Sequence, residues 1–256
     1  VIPSISFEDV ILQNYIIEVI YGTLLPRKRI LLPEHFSLGC TCFGSFTPEG
    51  KPIIGENFDF NGITQTAASF VLTILPNKPQ VFSFRLGAML SLPVAKTSYG
   101  IKTCVSVVKT RFPSWSIVGT GVRTRYGLEN LKSATEFYNI LRDTQDSIGY
   151  TLLIADNKEL YSLEITGYGI IKKKVDEIVV NSNTFITPKL QRYLYKTQYS
   201  KRRQVLGERL LSEAYFHGEK GVTEDQLMQI LTKRPWICRL TTACYISPSF
   251  FGIGKP

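Results

Sequence analysis

Gly39-Cys40-Thr41 and, a short way on, Gly55-Glu56-Asn57-Phe58-Asp59-Phe60 are the stretches from which the fold of this 256-residue chain can be read. A Gly-Cys junction is a place where a chain can cut itself. The thiol attacks the carbonyl carbon just before it, and glycine has no side chain to obstruct the approach. Once cut, Cys40 would be an N-terminal residue with a thiol nucleophile and an α-amine base of pKa about 8. Asp59 stands nineteen positions further on. That spacing predicts a strand over 40–46, a turn over 47–51 carrying Pro48 and Gly50, and a returning strand over 52–60. Such a hairpin brings Asp59 back beside Cys40, where a carboxylate can orient the amine and the thiol.

The rest of the chain supplies more strands and several helices. Ile11, Tyr15, Ile16, Val19 and Ile20 recur at helical spacing, which predicts a helix over 7–22 with Ser6 as its cap. An irregular segment between Pro26 and Pro33 then leads to Gly39. Strands are expected over 68–75, 81–86, 104–108, 151–155, 161–165, 169–175, 178–180 and 239–246. Helices are expected over 122–131, 135–142 (Ser133 with Glu136 as a capping box), 201–214 and 224–231 with Thr223 as cap. Strands, helices, strands and helices in that order read as an α+β chain with two sheets and segregated helices. A cut at Gly39 divides it into a propeptide, 1–39, and one domain, 40–256.

Composition narrows the class. Hydrophobic content of 44% and charged content of 20% describe an ordinary globular protein. No apolar run approaches the roughly 20 residues a membrane helix needs, and the first residues lack a basic leader, so an intracellular, cytoplasmic enzyme with no membrane partner is expected. The formal net charge is +9, with clusters at Arg27-Lys28-Arg29, Lys172-Lys173-Lys174 and Lys201-Arg202-Arg203. These read as solvated turns and helix faces rather than a nucleic-acid surface, and Lys172 to Lys174 as an exposed sheet edge. Five cysteines without a C-x-x-C pair, and only two histidines, argue against zinc and against a disulfide scaffold. Cys104, Cys238 and Cys244 read as buried thiols. Cys42 shares a strand face with Cys40.

The stretch from Cys40 resembles the mature N-terminus of cysteine N-terminal-nucleophile (Ntn) hydrolases. It is most similar to the acyl-coenzyme A:6-aminopenicillanic acid acyltransferase branch, with choloylglycine hydrolases and penicillin V acylases as cousins. Those proteins read Cys-Thr, a turn with Gly, then Gly-x-Asn-x-Asp; Cys40-Thr41, Gly50 and Gly55-Glu56-Asn57-Phe58-Asp59 stand in those places. Further matches follow in order. They are Tyr150 to Asp156 through Leu163-Glu164, Val180-Asn181-Ser182-Asn183-Thr184-Phe185, Ser200-Lys201-Arg202-Arg203, and Ile237-Cys238-Arg239 with Thr241-Thr242-Ala243. The resemblance implies a four-layer αββα sandwich of two antiparallel sheets. It implies a hydrolase of linear carbon–nitrogen amides, working through a thioester on Cys40 or passing the acyl group to another amine. It calls for no cofactor and no metal, and for a small-molecule amide as partner; self-association into a homo-oligomer stays open.

Roles follow residue by residue. Cys40 would be the nucleophile, Asp59 would hold its amine and thiol, and Asn57 stands nearby. Asn181 would donate to the oxyanion, with Asn183, two positions on and on the same face, as its rival. Arg203, with Arg202 adjacent, would hold the surroundings of the cysteine, and Glu164 would support them. The chain also departs from the pattern. Glu56 stands where bile-salt hydrolases carry arginine, which argues against a bile-salt or penicillin V substrate. No asparagine follows Gly100, so Thr103, Ser106 or a backbone N–H would have to complete the oxyanion hole. Loops 61–69 and 111–121, with Phe112 and Trp115, would set specificity. The missing asparagine and the basic charge leave a second class open, a basic binding protein that keeps the fold without turnover.

Overall fold

The computed structural model describes residues 5–27, 39–59, 68–87, 89–90, 94–113, 118–144, 148–195, 198–217, 220–235, 237, 243–246 and 251–254. The segment before Gly39, most of loop 61–69, Trp115, Cys238, Arg239 and Thr241-Thr242 lie outside the described residues. Helix α1, Phe7–Ile17, starts in a capping box between Ser6 and Asp9 and continues as a π-helical segment, Glu18–Leu24. Two strands follow, β1 (Gly39–Phe46) and β2 (Pro52–Asp59). Thr47 and Lys51 close the turn between them, and Gly50 adopts the left-handed φ of 73° that this turn requires. The predicted hairpin is therefore present, with Gly39 opposite Asp59.

Strands β3 (Ala68–Thr73), β4 (Val81–Leu86), β5 (Ala95–Thr97), β6 (Lys102–Val108), β7 (Gly149–Ala155), β8 (Leu160–Thr166) and β9 (Gly169–Lys174) pair consecutively into one seven-stranded antiparallel sheet. Lys172, Lys173 and Lys174 lie exposed on its edge strand, as expected. Strands β10 (Ile178–Ser182), β11 (Ala243–Ile246) and β12 (Phe251–Gly254) join β1 and β2 in a five-stranded sheet of order β10-β1-β2-β11-β12. The short strands β5 and β12 were not legible in the sequence, and β10 runs two residues longer than read. Helices α2 (Thr120–Asn130), α3 (Ala134–Arg142), α4 (Pro188–Gln191), α5 (Gln198–Phe216) and α6 (Glu224–Leu231) complete the fold. Ser133 caps α3 by accepting from Glu136 N, but the Glu136 carboxylate takes the Lys132 N–H rather than closing the box on Ser133.

Three apolar layers hold the sandwich together. Phe43, Ile53 and Val180 meet Leu211, Leu227 and Leu231 between the five-stranded sheet and α5 and α6. Tyr150, Leu152 and Leu163 meet Leu128, Phe137 and Leu141 between the other sheet and α2 and α3. Cys42, Ile54, Leu153, Leu160 and Val179 fill the space between the sheets. The arrangement is an αββα sandwich. Its inter-sheet layer also carries polar ties, most of them on β6. Lys102 Nζ donates to Pro52 O at 2.9 Å, Val105 N to Glu56 Oε2 at 3.1 Å, Ser106 Oγ to Asn181 O at 3.3 Å, and Val107 O accepts from Asn183 Nδ2 at 2.8 Å.

The N-terminal helix is built into this sandwich. Asn14 Oδ1 accepts from Leu90 N, the Tyr15 hydroxyl from Gly119 N, and Glu18 Oε1 from Thr120 N at the start of α2. A carboxylate there satisfies an otherwise orphaned donor at a helix N-terminus.

Burial lowers the Lys102 ammonium from 10.5 to about 8, with Lys96 adding repulsion. The unfolded chain therefore binds this proton between those values while the folded chain does not, so this group makes the fold more stable as pH rises through that window. Lys102→Met removes the effect. Urea midpoints for both proteins should show the wild type gaining on Lys102→Met from pH 8 to 10; a constant difference would contradict it.

Candidate active site

Strand β1 lies between β10 and β2, and register decides which residues meet. Cys40 sits opposite Phe58, Thr41 opposite Asn57 and Ser182, and Cys42 opposite Glu56 and Asn181. Side chains alternate along a strand. Cys40, Cys42, Glu56, Phe58 and Asn181 thus share the face turned toward the seven-stranded sheet, while Thr41, Phe43 and Asn57 share the face beneath α5 and α6.

Helix α5 reaches this sheet closely because of Gly207. A Cβ there would stand 2.9 Å from Val180 Cγ1 and 3.1 Å from Phe43 Cε1. One turn earlier, the buried Arg203 projects to the strand that carries Cys40. Its Nη1 donates to Cys40 O and, at 2.7 Å, to Thr41 Oγ1; its Nη2 donates to Asn183 Oδ1 at 2.7 Å. Asn183 Oδ1 also accepts the Cys40 N–H at 2.8 Å, and its Nδ2 donates to Val107 O. Both backbone polar groups of Cys40 are thus held by buried side chains. Arg202, the alternative in sequence, instead lines a shallow surface hollow with Lys201 and Arg209.

Asp59 is 1% exposed and accepts from Asn57 Nδ2 at 3.3 Å; Asn57 Nδ2 also donates to Ile237 O. The Cys40 thiol lies well above the ordinary thiol range. Burial is the main cause, followed by Glu56; Arg203 opposes the rise, Asp59 adds to it, and a hydrogen bond with Asn183 opposes it. Tyr21, in the π-helical segment, is pushed up by burial and then by Cys40. The N-terminal segment therefore brings a buried phenol into the electrostatic neighbourhood of the thiol.

The expected oxyanion donor, Asn181, is placed opposite Cys42 rather than Cys40. Its Nδ2 donates to Ser162 Oγ at 3.0 Å. Asn183 is the asparagine that contacts Cys40. Alternation puts both on one face and cannot choose between them; the choice comes from register with β1, about 140 residues away. Glu164 accepts from Ile186 N and Thr187 N and so braces the loop after Asn183. Ser106 turns to Cys42 Sγ at 3.3 Å, and Thr103 Oγ1 is buried without a hydrogen bond. Cys104 is fully buried, as read. Phe112 packs against Tyr168 and Tyr193, whose rings stack 4.9 Å apart, in a half-exposed aromatic cluster. Among the described residues no group of three His, Cys, Asp or Glu could hold a metal, and no helix is long and apolar enough to cross a membrane.

Sequence reasoning weighed Glu56 only as a departure from a motif. The residue is fully buried, its Oε2 bonded to Val105 N and its Oε1 without a hydrogen bond. Alternation along β2 could have placed it beside Cys42, but nothing local could show that the second sheet would bury it.

Solved structures share this architecture. An N-acylethanolamine-hydrolysing acid amidase orthologue from Caenorhabditis elegans superposes with a TM-score of 0.64 at 12% identity, over 82% of this chain and 94% of its own. Two variants of the conjugated bile acid hydrolase from Clostridium perfringens superpose with TM-scores of 0.56 at 10% and 9% identity, each over 84% of this chain and 92% of its own. This chain has the Ntn-hydrolase fold. No protein-family model and no curated protein sequence matches it. In this Ntn-hydrolase fold the strand that carries Cys40 lies inside the five-stranded sheet, with the second sheet over the thiol and α5 behind it.

Removing Asn183 takes the acceptor from the Cys40 N–H and the nearer acceptor from Arg203 Nη2, which keeps only a 3.5 Å contact to Ser200 Oγ in its place. Asn183→Ala should therefore lower unfolding free energy by about 2–4 kcal/mol, against about 1 for Asn181→Ala, which loses the Ser162 pairing. Chemical denaturation of both variants checks the order. A larger loss from Asn181→Ala would refute the assigned register.

Proposed function

We propose that this chain is a cysteine hydrolase of linear amides that matures by cutting itself between Gly39 and Cys40. The observation that carries the reading is the treatment of Cys40. It stands at the start of a central strand, with Arg203 and Asn183 holding its carbonyl and N–H and Asp59 one register position away. Ordinary core cysteines need no such apparatus. The likeness of fold to an N-acylethanolamine-hydrolysing amidase and a conjugated bile acid hydrolase supports the class.

In this reading the thiol first attacks the Gly39 carbonyl, the Gly39–Cys40 bond passes to a thioester, and water releases Gly39. The freed α-amine then serves as base. A substrate amide is attacked in the same way, its amine leaves, and its acyl group rests on Cys40 Sγ. Water completes hydrolysis; another amine would make the step an acyl transfer. Asn183 and Arg203 fix the nucleophile, and Asp59 orients the new ammonium through charge-assisted hydrogen bonds. Asn183, not Asn181, is the asparagine proposed to act at Cys40. No cofactor is invoked.

The competing reading, a binding protein without turnover, draws on the same thiol. Burial and the Glu56 carboxyl keep Cys40 protonated in the uncut chain, and a thiol so held is a weak nucleophile.

Mass spectrometry of the intact protein decides between them. The wild type should give two fragments divided at Gly39/Cys40 under denaturing conditions. They should elute together in native gel filtration, because Asn14, Tyr15 and Glu18 anchor the first fragment to the second. Cys40→Ala should stay full length, and Asp59→Asn should cut more slowly. A full-length wild type favours the binding protein; cutting of Cys40→Ala at the same bond would assign the cut to another protease.

A further inference from the structure

Before the cut, the base that Cys40 will use does not exist. Its nitrogen is a peptide N–H donating to Asn183 Oδ1. Something else must take the thiol proton. Arg203 is a donor only, and Asp59 is paired opposite Gly39 and receives the Asn57 amide. Tyr21 would itself have to ionise, and its burial opposes that. Among the described residues of β1 and β2, one carboxyl remains on the thiol's own face. Glu56 lies on the neighbouring strand, opposite Cys42 and two residues from Phe58, the partner of Cys40.

We propose that Glu56 is the base that takes the Cys40 thiol proton during the cut at Gly39; this rests on the self-processing reading above. The carboxyl is fully buried, and its two oxygens are in different positions. Oε2 is anchored by the Val105 N–H at 3.1 Å, from a stretch of β6 beyond the end of β5 pairing at Thr103. Oε1 is buried with no hydrogen bond. The thiols of Cys40 and Cys42 bear on this carboxyl. A buried carboxyl anchored through one oxygen, with the other oxygen unbonded and two thiols beside it on the same sheet face, is placed to receive a proton from one of them.

The step balances without any outside reagent. The proton moves from Cys40 Sγ to Glu56 Oε1 as Sγ bonds to the Gly39 carbonyl carbon and the carbonyl electron pair moves to oxygen. On collapse the carbon–nitrogen bond breaks, the proton passes to the departing Cys40 nitrogen, and a thioester and a free amine result. Burial raises the Glu56 carboxyl well above the usual range, while the Val105 N–H and the two thiols pull it back. That makes it a stronger base than an exposed carboxylate and brings it nearer the thiol it must deprotonate. The groups that face the pair are Cys40 and Cys42 on β1, Asp59 on β2, Cys104 on β6, Arg203 on α5 and Tyr21 in the N-terminal segment.

The test follows cutting of the full-length chain, purified in denaturant and refolded by dilution across a pH series, by intact mass. The wild-type rate should climb as Glu56 ionises, level off, and climb again as the thiol itself ionises. Glu56→Gln should cut at least about 100-fold more slowly below the second climb, with a rate that rises tenfold per pH unit and no level stretch. Gln mimics the neutral acid that burial favours. The unfolded chain loses the Glu56 proton near its ordinary 4.5 and the folded chain keeps it higher, so the group costs the wild type stability as pH rises. Thermal midpoints for Glu56→Gln should therefore exceed wild type increasingly above pH 4.5. Should the variant fail to fold, the wild-type profile decides alone: a single unbroken climb overturns the proposal. A wild type that cuts and a folded Glu56→Gln that cuts with the same rate and profile overturns Glu56 and leaves self-processing intact. A wild type that never cuts overturns the self-processing reading, and this inference with it.

Discussion

A guanidinium sealed between a helix and a sheet must find acceptors, and Arg203 finds them on the residues around Cys40. Leaving such a group unpaired would cost several kcal/mol, so its partners are fixed as firmly as the group itself. The Cys40 carbonyl, the Thr41 hydroxyl and the Asn183 amide oxygen converge on it. They come from β1 and from the loop just past β10, two elements that could slide against each other if only backbone ladders joined them. Arg203 ties that slide to one register, and Gly207 brings the helix close enough to do so. Everything said about the thiol depends on this register, because a shift of two residues would bring Asn181 to the cysteine.

The space between the sheets presents a second constraint. It is apolar over most of its extent, yet β6 ties it to the five-stranded sheet through Lys102, Val105, Ser106 and Val107. Each such polar group is expensive to bury and is retained here with a partner. Together they fix how one sheet lies over the other. They also surround Cys40, which is buried, under the influence of the Glu56 carboxyl, and held through its carbonyl by Arg203.

Local chemistry made much of this legible. Gly50, Pro48 and the alternating flanks announced the hairpin, and its return of Asp59 toward Cys40 follows from counting alone. Ser6, Ser133 and Thr223 marked helix starts because their hydroxyls outcompete water for orphan N–H groups. The three-residue β5 is too short for alternation to register, and the four-residue β12 carries two glycines, which weaken any strand signal. Asn183 was named only as a rival because both asparagines fit one face, and the strand that distinguishes them is distant in sequence. Glu56 was seen as a mismatch with a motif rather than as a buried group, since burial belongs to the packing of two sheets and leaves no local trace. The N-terminal helix was read correctly over 7–17, but the widening at Glu18 that turns Tyr21 toward the site carries no sequence signal we can name.

The attachment of that helix has a thermodynamic consequence. In the uncut chain the helix is tethered to the sheet it covers, and its local concentration is set by a linker of a dozen or so residues. A break at Gly39 would remove the tether without disturbing Glu18, Tyr15 or Asn14 in their sockets. The folded molecule would hardly register the loss, but a denatured one would. Its two pieces could find each other only by diffusion, and recovery would depend on their concentration. The chain would fold as one molecule and unfold as two, so its history, and not its sequence alone, would decide whether it can return.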